Sequence, residues 1–263
     1  MRNHQISVTI LAGGLGKRMQ SHLPKVLQKV RGKAMIVRLV EQIVQLQPSR
    51  ILIVVGIFKD IIQAEIERAI TDQSCIDLIE YAIQPEPRGT GDAIKATLKH
   101  LPDLDDINII INGDVPLLQY STLREIYGFY LNHESALMLT AINLADPSGC
   151  GRIMTDTNGL CTEIIEEKDC TEAQRSQTLV NCGIYICSVR VLQSYIPLIT
   201  NNNAQSEYYL TDLIKIYREA TNMPIDLFVL GPEREIEIYN VNTKAQLEYV
   251  EKIVCEREST HSN

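Results

Sequence analysis

The stretch ISVTILAGGLGKRMQSHLPK, residues 6–25, passes from an apolar segment directly into a loop rich in glycine and basic side chains. Its first part is mostly apolar and rich in β-branched residues, which is typical of a buried strand. Gly13, Gly14 and Gly16 then allow backbone N–H groups to approach a ligand closely, and a helix after such a turn adds a partial positive charge. This order of elements predicts an α/β protein that binds an anion at the end of a strand.

The composition supports a sheet-based core and a small anionic ligand. The chain has 263 residues, of which 45% are hydrophobic and only 5% aromatic, with no Trp. A core built from Ile, Leu and Val suits a buried parallel sheet. The formal net charge is −8, which argues against nucleic acid as a partner, because phosphate backbones are bound by basic surfaces. A basic loop on an acidic protein instead indicates one small anion held in one place.

Several classes of protein are disfavoured by the rest of the sequence. No run of about 18 apolar residues is present to cross a membrane. The apolar N-terminal segment leads into the glycine loop rather than into a cleavage site, which argues against a signal peptide. The seven cysteines are scattered and form no CxxC pair, so a zinc site is not expected. Reduced thiols are typical of the cytoplasm, which is the expected location.

The first half of the chain alternates apolar segments with amphipathic ones. Strands are predicted at 6–12, 50–56, 76–83 and 107–113, and helices at 35–47, 60–70, 90–101 and 121–131. Strands that alternate with helices of this length form right-handed βαβ units and a mostly parallel sheet. In open sheets of this kind, ligands bind at the carboxyl ends of the strands.

After residue 134 the pattern contains more strands and fewer helices. Strands are predicted at 135–144, 151–156, 161–168, 180–188 and 225–231, helices near 206–220 and at 243–258, and a turn at 157–159. We interpret residues 1–258 as one mixed α/β domain whose second part covers the cleft of the first. Residues 259–263 are expected to form a disordered tail.

The glycine loop matches neither of two common phosphate-binding patterns. The G-x-G-x-x-G fingerprint fails because Met19 stands where its third glycine belongs, and the Walker A pattern fails because Arg18 follows Gly16-Lys17. What remains is L-A-G-G-x-G-x-R-M followed by L-P-K, which places Arg18 and Lys25 seven residues apart. Two such cations can neutralise a triphosphate and hold its α-phosphorus for attack. The simpler alternative is a tight turn with solvated basic side chains.

Further motifs follow the glycine loop in order along the chain. They are QPEPRGTGDA (84–93), NGDVPLL (112–118), GCGRI (149–153), EIIEEKD (163–169), VNCGIY (180–185), NNNAQSEYYLTDLI (201–214) and NVNTKAQL (240–247). Together with LAGGLGKRMQSHLPKVLQKVRGKAM (11–35), they resemble the motifs of sugar-1-phosphate nucleotidyltransferases. Within that family, the chain is most similar to the N-terminal uridylyltransferase (UDP-N-acetylglucosamine pyrophosphorylase) domain of a bacterial bifunctional enzyme. The resemblance covers about residues 5–255.

This resemblance implies a fold and a reaction. The fold would be that of nucleotide-diphospho-sugar transferases, a Rossmann-like mixed, mostly parallel sheet flanked by helices, with residues 1–133 binding the nucleotide and 134–258 the sugar. The reaction would convert UTP and N-acetyl-α-D-glucosamine 1-phosphate into UDP-N-acetylglucosamine and pyrophosphate, with Mg²⁺ as cofactor. The bifunctional enzyme also carries an acetyltransferase domain of hexapeptide repeats. This sequence contains no such repeats, so acetyl transfer is not expected.

Carried over residue by residue, the resemblance implies several groups of site residues. The catalytic residues would be Arg18 and Lys25, and the ligands of Mg²⁺ would be Asp114 and Asn242. The nucleotide would be bound by Leu11, Ala12, Gly13, Gly14, Gly16, Gln84, Gly89 and Thr90. The sugar would be bound by Gly151, Glu166, Asn181, Tyr209 and Thr211.

Each of these motifs also has a simpler explanation. Thr90 and Asn242 both stand where a helix cap is expected, and Asp114 follows a strand as an ordinary turn residue would. Glu166 would otherwise belong to an exposed, charged strand end. The segment 206–212 would otherwise be the start of an amphipathic helix.

Three other functions remain as alternatives from the sequence. A sister enzyme would run the same chemistry with another sugar 1-phosphate or with CTP. A non-catalytic sugar-nucleotide-binding protein would keep the pocket without turnover, but it would be free to lose Arg18, Lys25, Asp114 or Asn242, all of which are present. A dinucleotide-dependent oxidoreductase is disfavoured by the missing third glycine of its fingerprint.

Overall fold

A nine-stranded sheet forms the centre of the computed structural model, which describes residues 5–14, 16–19, 21–133 and 135–261. The strands, including those of a separate two-stranded hairpin, are β1 (Ile6–Leu11), β2 (Lys29–Val30), β3 (Lys33–Ala34), β4 (Arg50–Val55), β5 (Ile79–Ile83), β6 (Ile107–Asn112), β7 (Leu137–Asn143), β8 (Arg152–Thr155), β9 (Cys161–Ile165), β10 (Leu179–Ser188) and β11 (Asp226–Leu230). The helices are α1 (Met35–Ile43), α2 (Lys59–Ala69), α3 (Gln73–Ile76), α4 (Thr90–Thr97), α5 (Tyr120–Leu131), α6 (Glu172–Arg175), α7 (Val189–Tyr195), α8 (Asp212–Thr221) and α9 (Lys244–His261).

Strand β1 lies in the middle of this sheet, whose order is β5-β4-β1-β6-β10-β7-β11. It pairs in parallel with β4 and β6, so that Ile10 stands opposite Ile53 on one side and Ile111 on the other. Strand β10 is antiparallel to both of its neighbours, and β11 is parallel to β7. The β8–β9 hairpin joins the sheet through β10. The prediction of a mixed, mostly parallel sheet is confirmed.

Successive side chains of the strands pack on opposite faces of the sheet. Ile51 and Ile53 of β4 belong to a buried cluster that includes side chains of α1, α2 and α5. Leu52, between them, belongs to a second cluster with side chains of α4, α7 and α8. Helices therefore cover both faces of the sheet, which explains why its strands are continuous apolar runs rather than alternating ones.

Helix α9 returns the end of the chain to the N-terminal half. Val250 and Val254 of this helix pack in a third cluster with Met35, the first residue of α1. The segment before α9 is fixed as well, because the N–H of Val241 donates a hydrogen bond to the carbonyl oxygen of Asp114 at 2.9 Å. These contacts bring the residues that precede α9 to the carboxyl end of β6.

The helix predicted near 206–220 is shorter in the structure and begins at Asp212. The residues before it pair instead with the loop that precedes α4. The N–H of Tyr208 donates to the carbonyl oxygen of Arg88 at 2.8 Å, and its own carbonyl oxygen accepts from Gly91 at 2.7 Å. This tertiary pairing prevents 206–211 from continuing the helix.

Other helix boundaries also differ from the predictions, and α4, predicted at 90–101, ends at Thr97. The α-helix predicted at 35–47 ends at Ile43 and continues only as a 3₁₀ turn. The last helix, predicted to end at 258, continues to His261 and so includes part of the segment 259–263 that was expected to be disordered. Among the residues described, no helix is both long enough and apolar enough to span a membrane.

We predict that Ile53→Ala lowers the free energy of unfolding by about 2–5 kcal/mol, because Ile53 is fully buried and its truncation leaves a cavity beside β1. Chemical denaturation of the purified protein measures this change. Ile61→Ala in α2 is the matched control, since Ile61 is 43% exposed, and its effect should stay within about 0.5 kcal/mol. Equal effects of the two substitutions would contradict the assignment of β4 to the core.

Candidate active site

A cavity of about 470 Å³ opens at the carboxyl ends of the parallel strands, where the fold class places ligands. Its walls come from the glycine loop after β1, the β5–α4 loop, the end of β6 and one residue of the 206–211 segment. Every residue that the sequence analysis assigned to the nucleotide lines it, namely Leu11, Ala12, Gly13, Gly14, Gly16, Gln84, Gly89 and Thr90. The lining also includes residues that were not predicted: Val26, Pro87, Ala93, Asn112 and Glu207.

The three glycines of the loop differ in the room that a side chain would have. Gly16 has φ +59°, and a β-carbon there would lie 2.9 Å from the β-carbon of Lys25. A β-carbon on Gly13 would lie 3.0 Å from the side-chain oxygen of Gln84. Gly14 lines the cavity, and apart from its chain neighbours no atom of the described residues lies within 4 Å of its β-carbon position.

Lys25 links two distant segments of the chain at the edge of this cavity. Its Nζ donates hydrogen bonds to Oδ2 of Asp114 at 2.5 Å and to Oδ1 of Asn242 at 2.9 Å. Nη2 of Arg18 donates to the same Asn242 oxygen at 3.1 Å. All four residues assigned to catalysis or to a metal are therefore in one cluster, although Arg18 and Asn242 lie 224 positions apart in the sequence.

Asn242 does not cap the helix that follows it, contrary to the simpler explanation of its position. The Oγ1 atom of Thr243 accepts a hydrogen bond from the N–H of Gln246 at 3.3 Å. In return, Oε1 of Gln246 accepts from the N–H groups of Asn242 and Thr243 at 2.8 and 3.0 Å. This reciprocal pattern is a capping box, and it leaves the side-chain oxygen of Asn242 free to face Lys25 and Arg18.

The Asp114 and Asn242 oxygens that accept hydrogen bonds from Lys25 are suitable ligands for a divalent cation. One carboxylate oxygen and one amide oxygen lie within hydrogen-bond distance of the same ammonium, and oxygens of both kinds can bind Mg²⁺. Within the part of the chain that the structure describes, no group of three or more His, Cys, Asp or Glu side chains is placed to hold a metal. Mg²⁺ fits a site with so few protein ligands, because it usually retains water and binds substrate phosphates beside one or two protein oxygens.

The β5–α4 loop forms the opposite wall of the cavity. Gly89 has φ +116°, and a β-carbon there would lie 2.5 Å from the carbonyl oxygen of Tyr208, so only glycine fits. Thr90 is the first residue of α4 rather than its cap, and its hydroxyl oxygen accepts a hydrogen bond from the N–H of Leu210 at 2.9 Å. The loop and the 206–211 segment therefore hold each other in place.

Gln84 is buried at the base of the same wall. Its Nε2 donates to the carbonyl oxygen of Gly89 at 3.0 Å and to Oδ2 of Asp92 at 2.9 Å. Asp92 in turn accepts from Nη2 of Arg88 at 2.8 Å. The sequence analysis did not select Asp92 or Arg88, although both lie inside a motif that it quoted. An acidic residue in the first turn of a predicted helix is ordinary, so the sequence offered no signal that would have selected Asp92.

Four of the residues assigned to the sugar form a second cluster outside the lining of the cavity. The hydroxyl of Thr211 donates to Oε1 of Glu166 at 3.0 Å, and a β-carbon on Gly151 would lie 3.7 Å from the same carboxylate. The N–H of Asn181 donates to the carbonyl oxygen of Gly151 at 2.9 Å. Glu207 lines the cavity and is only four residues before Thr211, so the 206–211 segment connects the cavity with this second cluster.

Tyr209 and Glu166 both have pKa values displaced upward by burial. The hydroxyl of Tyr209 accepts a hydrogen bond from Nε2 of Gln205 at 2.8 Å, and burial raises its pKa to about 12. Burial also raises the pKa of Glu166, and the hydrogen bond from Thr211 opposes that shift only in part. Glu166 is therefore not the freely solvated carboxylate that an exposed strand end would provide.

Comparison with known proteins identifies the family of the chain. Residues 7–230 match the family described as nucleotidyl transferase. A probable UDP-N-acetylglucosamine pyrophosphorylase of Acanthamoeba polyphaga mimivirus is 55% identical over 251 residues, which cover 95% of this chain and 97% of the relative. The bifunctional protein GlmU of Rippkaea orientalis is 34% identical over 97% of this chain, and that of Thermoanaerobacter pseudethanolicus is 36% identical over 94%.

This chain spans 53% and 51% of the lengths of those two bifunctional relatives, respectively. The family match covers most of the chain. It includes every strand from β1 to β11, apart from Ile6, the first residue of β1. The protein therefore belongs to the nucleotidyl transferase family.

Proposed function

We propose that the protein makes UDP-N-acetylglucosamine and pyrophosphate from UTP and N-acetyl-α-D-glucosamine 1-phosphate, in a reducing compartment such as the cytoplasm. The contact that carries this proposal is the one between Lys25, Asp114 and Asn242 at the edge of the cavity. It puts a cation, a carboxylate oxygen and an amide oxygen beside the glycine loop. Phosphates would lie there against the glycine backbone, although a 3₁₀ turn (Lys17–Met19) follows the loop in place of the expected helix. The name of the mimivirus relative, which matches this chain over nearly its full length, supports the same activity.

UTP would lie across the cavity with its phosphates at the glycine loop. Gly14 and Lys25 both line the cavity at this loop, and the β-carbon position of Gly14 is open space. The uracil would lie against Gln84, Gly89 and Thr90 on the opposite wall. This direction puts the α-phosphate between the base and the cations, where the sugar phosphate would reach it.

The chemical step would be an in-line displacement at the α-phosphorus. An oxygen of the sugar 1-phosphate forms the new P–O bond, and the bond to the bridging oxygen breaks, so that its electron pair leaves with pyrophosphate. The attacking phosphate oxygen is already ionised, so no general base is needed. Lys25 and Arg18 would hold the α-phosphate and stabilise the charge that moves to the leaving group.

Asp114 and Asn242 would hold Mg²⁺, to which their oxygens are suited as described above. When bound, the ion would neutralise charge on the phosphates. Lys25 donates to both oxygens in the structure, so its ammonium would move toward the phosphates when these oxygens bind the metal. The protein would thus use the same lysine to hold the site together and to bind substrate.

The sugar would occupy the cluster around Glu166. The carboxylate of Glu166 can accept hydrogen bonds from sugar hydroxyls, and its Thr211 partner keeps it in place. Gly151 lies next to this carboxylate, and a β-carbon there would lie only 2.8 Å from Cγ2 of Ile164, so a larger residue would not fit. Asn181 donates its N–H to Gly151, and its position suits recognition of the sugar or its acetamide.

The direct test is pyrophosphate release with Mg²⁺ present and after chelation. UTP, CTP, dTTP and GTP are each combined with N-acetylglucosamine 1-phosphate and with glucose 1-phosphate. We expect Mg²⁺-dependent release with UTP and the N-acetylated sugar. Release with a different pair would make the protein a sister enzyme with other substrates. No release from folded protein that still binds UTP would indicate a binding protein.

Substitution of Lys25 by Ala should lower kcat/KM at least about a hundredfold, with most of the loss in kcat, because Lys25 would stabilise charge in the transition state. Steady-state pyrophosphate assays measure the effect, and calorimetry measures UTP binding separately. Lys29→Ala is the control, since Lys29 is exposed and lies 4.0 Å from its partner Glu65. A kcat/KM for Lys25→Ala close to that of Lys29→Ala would refute the role given to the loop.

Glu166→Gln should stabilise the fold at high pH while raising the KM for the sugar phosphate. Burial raises the folded-state pKa of Glu166 above its ordinary value of 4.5. The stability that the neutral carboxyl contributes is therefore complete below that value and is lost as pH rises through the raised pKa. Because glutamine does not ionise, the Tm advantage of the variant over the unmodified protein should grow between pH 4.5 and pH 8.

The control for this pH dependence is Glu163→Gln in β9, the strand that ends just before Glu166. Glu163 is partly exposed and forms an ion pair with Lys215 at 3.0 Å, so its substitution should give no Tm advantage at pH 8. Thermal unfolding at both pH values measures the comparison. A constant Tm difference between Glu166→Gln and the unmodified protein across this range would mean that Glu166 is ionised without cost.

A further inference from the structure

We propose that Asp92 is a positioning residue that turns the side-chain oxygen of Gln84 toward the cavity, and that this orientation selects uracil over cytosine. The inference rests on the proposed function, which places the base of the nucleotide against Gln84. It adds a residue that does not line the cavity and that the sequence analysis did not select.

The orientation of the Gln84 amide follows from what surrounds it. Its two neighbours on one side are the carbonyl oxygen of Gly89 and a carboxylate oxygen of Asp92, at 3.0 and 2.9 Å. Both are acceptors only, so the NH₂ group must face them and both of its hydrogens are used. The remaining atom, Oε1, lies beside Gly13 at the wall of the cavity. Within the described residues, no side chain or backbone group donates a hydrogen bond to Oε1.

Asp92 is held so that it can impose this orientation. Its side chain is buried, and its second oxygen accepts a hydrogen bond from Nη2 of Arg88 at 2.8 Å. The guanidinium of Arg88 also lies 5.9 Å from the centre of the Tyr208 ring, which belongs to the segment paired with the loop. The carboxylate thus has one oxygen directed to Arg88 and the other directed to Gln84.

An acceptor at this point matches one edge of uracil. Uracil offers an N–H at position 3 between two carbonyl oxygens, whereas cytosine has an unprotonated nitrogen at position 3 and an amino group next to it. Gly89 and Thr90 also line the cavity, and no backbone oxygen of the described chain accepts from their N–H groups. An acceptor beside backbone donors fits the imide of uracil and opposes the reversed pattern of cytosine.

The test compares the ratio of kcat/KM for UTP to that for CTP in Asp92→Asn, Asp92→Ala and the unmodified protein. In Asp92→Asn, the amide oxygen would turn to Arg88, which can only donate, and its NH₂ group would face Gln84. Gly89 would then be the single remaining acceptor for the Gln84 amide, and an orientation with Oε1 toward the substituted side chain would put the NH₂ group of Gln84 into the cavity. We expect the ratio to fall at least about tenfold, since a buried donor would meet the N–H of uracil. Loss of the acceptor in Asp92→Ala should lower the ratio in the same direction.

Asp60→Asn is the matched control, because Asp60 also lies in the first turn of a helix but is exposed. It changes the net charge equally and should leave the ratio unaltered. Circular dichroism and thermal unfolding establish that each variant is folded, and Asp92→Asn decides the question if Asp92→Ala does not fold. A ratio within about twofold of the unmodified protein in folded Asp92→Asn would overturn the inference.

Two further outcomes separate this inference from the proposed function. If the unmodified protein uses UTP and CTP equally well, nucleotidyl transfer stands and the inference fails. If it releases no pyrophosphate with either nucleotide, the proposed function fails for these substrates. In that case, calorimetric affinities for UTP and CTP test the inference without catalysis, and equal affinities would refute it.

Discussion

The ammonium of Lys25 is the contact on which the arrangement of the site depends. It joins the 3₁₀ turn after the glycine loop to Asp114 after β6 and to Asn242 before α9. A cation between a carboxylate and an amide oxygen neutralises a charge that would otherwise be partly buried at the end of the sheet. Gly16 makes the contact possible, because a larger residue there would displace Lys25.

The opposite wall of the cavity is held mainly by hydrogen bonds of the backbone. Tyr208 exchanges hydrogen bonds with Arg88 and Gly91, and Leu210 donates to the hydroxyl of Thr90. These bonds fix the β5–α4 loop against the segment that leads to the Glu166 cluster. The places proposed for the base and for the sugar are thus built on one shared piece of backbone, which ties the geometry of one to that of the other.

The sheet and its mostly parallel order could be predicted from the sequence, because local patterns specify them. Apolar runs such as 107–113 are the length of a buried strand, and glycines follow β1 where the chain turns. The capping of α9 by Thr243 could have been predicted, since Thr243 and Gln246 have the spacing of a capping box. The contact of Asn242 with Lys25 could not, because the two residues are 217 positions apart. The irregular backbone of 206–211 was missed for the same reason, because its partners are distant in sequence.

Asp92 illustrates a further limit of prediction from sequence. A first-turn aspartate is ordinary as a favourable charge at the N-terminus of a helix, so nothing in its local context distinguishes it from Asp60. Only burial and the position of Gln84 show what its carboxylate contacts. The roles of individual residues around the cavity depend on such contacts, whereas the family and the fold do not.

The packing of α9 has a consequence for the order in which the protein acquires activity during its synthesis. The glycine loop emerges from the ribosome more than 200 residues before Asn242, its hydrogen-bond partner. A nascent chain that has already folded its central strands would still lack one oxygen at the place proposed for the metal. The segment before α9 thus completes the site, so that turnover would begin only after Asn242 has been made and has reached Lys25.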